Sequence, residues 1–126
     1  MNQFPFDPQA ASNAETCTDL LRCMYNLSEL DMEALKLLLS TGPSKAEDLA
    51  DRLGRDRSTV YRSLQKMVSC QVISKETRNL DRGGYYHVYA AVPRELLKER
   101  LEHCIREWHD RVTTLLDRFE EDMDSL

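Results

Sequence analysis

The stretch that decides the fold lies at residues 44–69 and reads SKAEDLADRLGRDRSTVYRSLQKMVS. Its apolar residues recur at helical spacing in two short runs. Ser44, followed three residues later by Glu47, is typical of a helix N-cap, and Asp56 is the natural cap of the second run. Because only residues 54–56 separate the two runs, the pattern predicts two helices held at a steep angle, which is a helix–turn–helix.

The residues after this motif change from helical spacing to a strand-like pattern. Residues 72–77 and 85–90 read as β-strands, and residues 79–84, which contain two glycines, read as the turn between them. This hairpin comes directly after the second helix, where the wing of a winged helix belongs. We expect the tyrosines of the second strand to pack mainly in the core rather than to stack on a ligand.

A long helix is predicted to open at Pro93, which suits the first turn of a helix. Its apolar residues recur in steps of four and three over about three heptads, as in a coiled coil. We expect this seam to pair with a second copy, since Trp108 and Phe119 would otherwise be exposed. The alternative is that it folds back on residues 12–39. The predicted dimer interface comprises Leu97, Leu101, Ile105, Trp108, Val112, Leu115 and Phe119.

The fold class predicted for the 126 residues is mainly α with a small β-hairpin wing. We expect a flexible tail at residues 1–11 and a winged helix–turn–helix domain at residues 12–92, whose first helix is capped by Ser12 or Asn13. Residues 93–126 form the dimerisation helix. The sequence has no apolar run long enough for a membrane span and no secretory signal at its start, so we expect a cytoplasmic protein.

Charge is distributed unevenly along the chain, whose net charge is −5. Residues 52–82 carry eight basic and three acidic residues, whereas the flanks are acidic. This pattern predicts binding to double-stranded DNA, with a recognition helix at about residues 56–69 in the major groove and a wing at about residues 72–91 on the backbone or minor groove. The N-terminus of the recognition helix also offers N–H groups to a phosphate. The predicted contacts are Arg55, Arg57, Ser58, Thr59, Tyr61, Arg62, Gln65, Lys66, Lys75, Arg78 and Arg82.

Two motifs carry a resemblance to a known family. Residues 57–62 read RSTVYR, and residues 84–93, which end the wing, read GYYHVYAAVP. With their surroundings, from about residue 28 to residue 96, they resemble the winged-helix domain of archaeal TrmB-like transcriptional regulators, and the broader MarR-like group shares the architecture. The resemblance implies dimeric DNA binding near promoters. The chain stops after the long helix, so we expect no sugar-binding domain; an effector, if there is one, is unidentified.

Two alternatives remain open at this point. The acidic flanks also suit a winged helix that serves as a protein–protein interaction module of a transcription assembly. A thiol- or metal-responsive variant would use Cys17, Cys23 and Cys104 with His103 or His109, although core or surface thiols are the simpler interpretation. The sequence has no recognisable catalytic motif, so we predict no enzyme activity, no cofactor and no metal site.

Overall fold

Seven helices and one two-stranded hairpin follow one another along residues 8–126, the part of the chain that the computed structural model describes. The helices are α1 (Pro8–Ser12), α2 (Cys17–Met24), α3 (Glu29–Thr41), α4 (Ala46–Leu53), α5 (Arg57–Ser69), α6 (Arg94–Leu116) and α7 (Phe119–Asp124), and the strands are β1 (Ile73–Asn79) and β2 (Tyr85–Ala91). None of these helices combines the length and the apolarity that crossing a bilayer needs.

The predicted helix–turn–helix is confirmed in α4 and α5. Gly54 ends α4 in the left-handed conformation (φ 67°) that glycine adopts without strain. Asp56 then caps α5, because its carboxylate accepts a hydrogen bond from a backbone N–H in the first turn. Leu49 on α4 and Val60 and Leu64 on α5 are completely buried in one core. Their packing holds the two helices together and leaves the opposite side of α5 exposed to solvent.

The predicted cap of α4 is wrong. α4 begins at Ala46, and Ser44 lies before it, where its hydroxyl donates to the carbonyl of Gly42 (2.9 Å). The backbone of Ser44 forms an antiparallel bridge with Tyr89 of β2, through hydrogen bonds of 3.0 and 2.8 Å. Because this pairing holds Ser44 in line with the wing, its side chain does not reach the first turn of α4.

The predicted wing is confirmed as the antiparallel pair β1–β2, in register from Ile73 opposite Ala91 to Asn79 opposite Tyr85. The expectation for the tyrosines holds only in part. Tyr89 is 2% exposed and belongs to the core, Tyr86 is half-buried, and Tyr85 is 66% exposed. Tyr85 begins β2 next to the turn, so it stands beyond the helices that cover the base of the hairpin.

The N-terminal segment differs from the prediction. The sequence predicts a tail over residues 1–11, but Pro8–Ser12 form α1; the rest of the predicted tail lies outside the described residues. The first amphipathic helix, α2, is capped by Thr16, whose hydroxyl accepts the N–H of Asp19 (3.1 Å). The predicted caps Ser12 and Asn13 are therefore wrong, because α2 begins at Cys17, the first of its apolar residues, directly after Thr16.

The long C-terminal helix is present, but the prediction that one helix carries the whole seam is wrong. α6 ends at Leu116, and the N–H groups of the next two residues bond to carbonyls three positions back (3.1 and 3.0 Å). This tighter spacing is typical of a 3₁₀ turn and often ends an α-helix. Phe119 therefore begins a separate short helix, α7.

The start of α6 belongs to the core of its own chain. Leu97 is 8% exposed and packs in the main core cluster, and Leu101, one turn later, packs against that cluster. This burial removes Leu97 from the predicted dimer interface, because its side chain is already covered. The seam is left open only further along, where Ile105, Leu115 and Phe119 are exposed while Trp108 and Val112 are half-buried.

Candidate nucleic-acid interface

The outward face of α5 carries four of the predicted contact residues. Arg57, Tyr61, Arg62 and Gln65 are all exposed, because the apolar stripe of the same helix faces the core. Within residues 8–126, no carboxylate lies at ion-pair distance from either arginine of this face. We call these four residues the α5 face; it presents two positive charges, a phenol and an amide to solvent.

The first turn of α5 is closed by Asp56. Its carboxylate accepts the N–H of Thr59 (3.2 Å), the hydroxyl of Ser58 (2.5 Å) and the hydroxyl of Thr59 (2.6 Å). The Ser58 hydroxyl and then the Thr59 groups lower the pKa of Asp56 to about 2, so it is ionised at neutral pH. The predicted contacts Ser58 and Thr59 thus already donate to Asp56. Contrary to our expectation, the N–H of Thr59 is not open to a phosphate.

Two other predicted contacts are engaged within the protein. The ammonium of Lys66 lies 2.7 Å from Asp31 of α3 and also donates to the carbonyl of Asn26 (2.7 Å). Arg55 stands 3.9 Å from Glu33 in an exposed pair, an arrangement that contributes little to stability. The structure therefore does not bring Lys66 to the α5 face, whereas Arg55 is exposed in the turn before α5.

The partner of Lys66 is a carboxylate in the first turn of α3, whose spacing from Ser28 fits a capping box but whose burial and pairing with α5 the sequence did not reveal. Asp31 is 2% exposed; one oxygen accepts from Lys66 and from the N–H of Ser28 (2.8 Å), and the other accepts from the hydroxyl of Ser63 on α5. Burial alone would raise the pKa of Asp31, but the hydrogen bonds from Lys66, Ser63 and Ser28 hold it below its ordinary value. A polar Ser63 within the apolar stripe of α5 was the available signal.

The wing adds a second set of positive charges. Lys75, Arg78 and Arg82 are exposed, as a role in DNA contact requires. Arg78 shares its charge with Glu76 of the same strand, 3.5 Å away. For Lys75 and Arg82 the described part of the chain places no carboxylate at ion-pair distance. The turn itself carries Asp81 beside Arg82, so the positive charge of the wing is spread along the hairpin rather than concentrated at its tip.

A groove of about 500 Å³ separates the α5 face from the wing. Arg57 and Tyr61 line it on the α5 side, and Tyr86 and His87 line it on the β2 side. Lys45, at the start of α4, places its ammonium 4.6 Å from the centre of the Tyr86 ring, within cation–π distance. Sequence reasoning missed Lys45, because only the fold brings it beside β2.

The described residues offer little support for the sensor alternative. Over residues 8–126, no three His, Cys, Asp or Glu side chains are grouped so that they could hold a metal ion. Cys17 is exposed, whereas Cys23 and Cys104 are half-buried. Burial raises the pKa of the Cys104 thiol, which disfavours the reactive thiolate.

The protein has a winged-helix fold, because a β-hairpin follows the helix–turn–helix and the second helix of the motif leaves one cationic face open. Comparisons with known proteins show that it is a DNA-binding transcriptional regulator. The chain belongs to the family described as sugar-specific transcriptional regulator TrmB, whose profile matches residues 21–95. This result confirms the resemblance seen in the sequence. The family is one of transcriptional regulators.

Individual relatives and solved structures are similar over most of the chain. The chain is 32% identical over 105 residues to the uncharacterized protein MJ1503 of Methanocaldococcus jannaschii. The matched region covers 83% of this chain and 80% of that protein. A possible transcriptional regulator from Methanosarcina mazei Go1 has a similar structure (TM-score 0.69, 26% identity), covering 82% of this chain and 88% of that one. The ST1889 protein of Sulfolobus tokodaii shares the fold (TM-score 0.57, 22% identity; 75% and 93% covered).

Proposed function

We propose that this regulator binds double-stranded DNA as a homodimer, with α5 in the major groove and the wing on the adjacent backbone or minor groove. The observation that carries the proposal is the α5 face, which is exposed and lies across a groove from strand β2 of the wing. In other winged and simple helix–turn–helix proteins the second helix of the motif enters the major groove. Here the same helix is the one that the core leaves open.

The α5 face carries side chains of the types that read base edges. Arg57 and Arg62 suit bidentate hydrogen bonds to guanine, and Gln65 suits adenine. Since the hydroxyl of Thr59 donates to Asp56, its methyl group is the part left to contact a thymine. We assign sequence reading to these residues, and positioning on phosphates to Lys75, Arg78 and Arg82 of the wing.

The homodimer is supported by the open part of the C-terminal seam. Ile105, Leu115, Leu116 and Phe119 are exposed in the single chain, over more than three helical turns of α6 and the start of α7. A contiguous apolar surface of this kind usually marks an interface. A second copy related by a twofold axis would cover it and would place two α5 helices for two half-sites.

The test is a selection with the purified full chain from a randomised duplex library, repeated with Arg62→Ala and with Arg106→Ala. We expect the wild type to enrich a palindromic motif, and Arg62→Ala to bind less tightly and with a changed motif. Arg106 is exposed on α6, so Arg106→Ala loses the same charge away from the α5 face and should behave as wild type.

The outcomes separate the proposal from its alternatives. A motif that survives unchanged in Arg62→Ala would show that α5 does not read the bases. Absence of any enriched motif, with binding only at low salt, would contradict the proposal and favour the protein-interaction module. An enriched motif without twofold symmetry, together with a monomeric mass by light scattering, would contradict the homodimer.

A further inference from the structure

The contact between Asp31 and α5 is unusual because it is polar, buried and made to the recognition helix itself. Asp31 receives two side chains of α5: the hydroxyl of Ser63 on one oxygen and the ammonium of Lys66, 2.7 Å away, on the other. That second oxygen also accepts a hydrogen bond from the N–H of Ser28 (2.8 Å). The carboxylate is 2% exposed, so these groups replace the water that it has lost.

This contact fixes the rotation of α5 about its own axis. Ser63 and Lys66 are three residues apart, so they lie on one side of the helix, one turn from each other. Arg62 and Gln65 directly precede them and lie about 100° around the axis on the α5 face. Any rotation that moves the side chains of the α5 face relative to the groove must therefore break or stretch the bonds to Asp31.

Lys66 extends the same contact to a third part of the chain. Besides Asp31 it donates to the carbonyl of Asn26 (2.7 Å), in the link between α2 and α3. Asn26 itself holds a left-handed backbone conformation (φ 53°). The recognition helix is thus hydrogen-bonded both to α3 and to the α2–α3 link.

Stability alone is a poor reason for such a contact. Replacing a buried ion pair by apolar side chains of similar volume is often neutral or stabilising, because burying charge is costly. Apolar packing, however, is not directional, whereas hydrogen bonds to a fixed carboxylate define an orientation. The contact supplies orientation, which matters for a helix that must present side chains to base edges.

We propose that Asp31 is a positioning residue for DNA recognition, which acts through Ser63 and Lys66 to hold α5 at the rotation that lets the α5 face read one sequence. The proposal rests on the proposed function, in which α5 enters the major groove. Lys66 serves this contact and does not bind a phosphate. Losing it lowers affinity for the preferred sequence but not for DNA in general.

The experiment compares Lys66→Met and Ser63→Ala with wild type and with Arg62→Ala in the same randomised-library selection. It is followed by binding to the enriched duplex and to a scrambled duplex over a range of salt. We expect both positioning variants to lose about tenfold in affinity for the enriched duplex, the scale of one misplaced base contact. Their affinity for the scrambled duplex and their salt slopes should match wild type.

Two results would overturn the proposal while leaving the proposed function intact. If Lys66→Met weakens both duplexes equally and its salt slope is shallower by about 0.9 for each lysine removed, Lys66 is a phosphate contact. If both variants keep the wild-type motif and affinity, the contact does not position the helix. If wild type enriches no motif and Arg62→Ala changes nothing, the proposed function fails and the positioning role fails with it.

Folding is controlled independently of binding. Ser63→Ala removes one hydrogen bond and leaves the ion pair, so it should fold even if Lys66→Met does not. Circular dichroism and thermal unfolding identify a variant that is simply unfolded. A folded Ser63→Ala that discriminates between the two duplexes as wild type does would refute the role of Asp31, whatever the state of Lys66→Met.

Discussion

Arg82 offers the sharpest test of how the wing meets DNA. It is exposed in the turn between β1 and β2, and in the described chain no carboxylate lies at ion-pair distance from its guanidinium. Its full charge is therefore available to displace a counterion from a phosphate. Because such a contact carries no sequence information, Arg82→Ala should weaken binding to every duplex by the same factor.

The size of the effect follows from the number of phosphates that Arg82 neutralises. Each phosphate contact contributes about 0.9 to the slope of log affinity against log salt concentration. A homodimer carries Arg82 twice, so the slope of Arg82→Ala should be shallower by about 1.8. Between about 50 and 200 mM salt, the deficit of the variant should then shrink by about tenfold. Arg78→Ala should change the slope less, because Glu76 already neutralises part of the charge of Arg78.

Fluorescence anisotropy with a labelled duplex, titrated at several salt concentrations, measures these slopes. Arg106→Ala, which loses one arginine on α6, is the matched control and should keep the wild-type slope. Parallel lines for wild type and Arg82→Ala would refute the reasoning, since the wing tip would then not touch the backbone. A change of about 0.9 would mean that one wing per complex engages DNA and would contradict a symmetric pair.

Two further predictions concern assembly and stability. Leu115→Asp should give monomers by light scattering, because it places a charge on the open seam, where Leu115 is 55% exposed in the single chain. The control Thr113→Asp, at an exposed position two residues earlier, should stay dimeric. Equal masses for the two variants would contradict the proposal that the seam is the dimer interface. Asp31→Asn should cost about 1–3 kcal/mol at pH 7 in urea unfolding, as for a buried hydrogen-bonded group. Because folding lowers the pKa of Asp31, its ionised form stabilises the protein fully above the ordinary value of 3.8, and this contribution is lost as the pH falls through the folded pKa. The difference in free energy of unfolding between Asp31→Asn and wild type should therefore shrink by pH 3. A difference that stays constant with pH would contradict the stabilising role of the ionised Asp31.

The motif and the wing could be predicted because their signals are local. Helical spacing, the cap at Asp56, the glycine at position 54 and the turn at residues 79–84 each act within a few residues. The Ser44–Tyr89 bridge could not be predicted, because it joins positions far apart in sequence. The periodicity of α6 hid its end, since apolar residues continue through Phe119 and neither glycine nor proline marks the break.

The inward role of Lys66 shows a different limit. Periodicity assigns its Cα to the edge of the exposed face, and a charged residue there is normally solvated. A lysine has a long apolar stem, however, and its ammonium can reach a partner well away from its own position on the helix. That partner, Asp31, is 35 residues away in sequence, so only the packing of α3 on α5 brings the two together.

The bridge between Ser44 and Tyr89 gives the wing a fixed root. Two backbone hydrogen bonds tie β2 to the segment that leads into α4, so the base of the hairpin and the helix–turn–helix form one rigid piece, and only the residues beyond Val88 toward the tip extend past it. We therefore expect the opening between the recognition helix and the base of the wing to be nearly fixed. DNA whose groove already matches that opening would bind without deformation, whereas a stiffer or wider site would have to be bent to fit. The protein would thus measure the shape of a site at base pairs that no side chain touches.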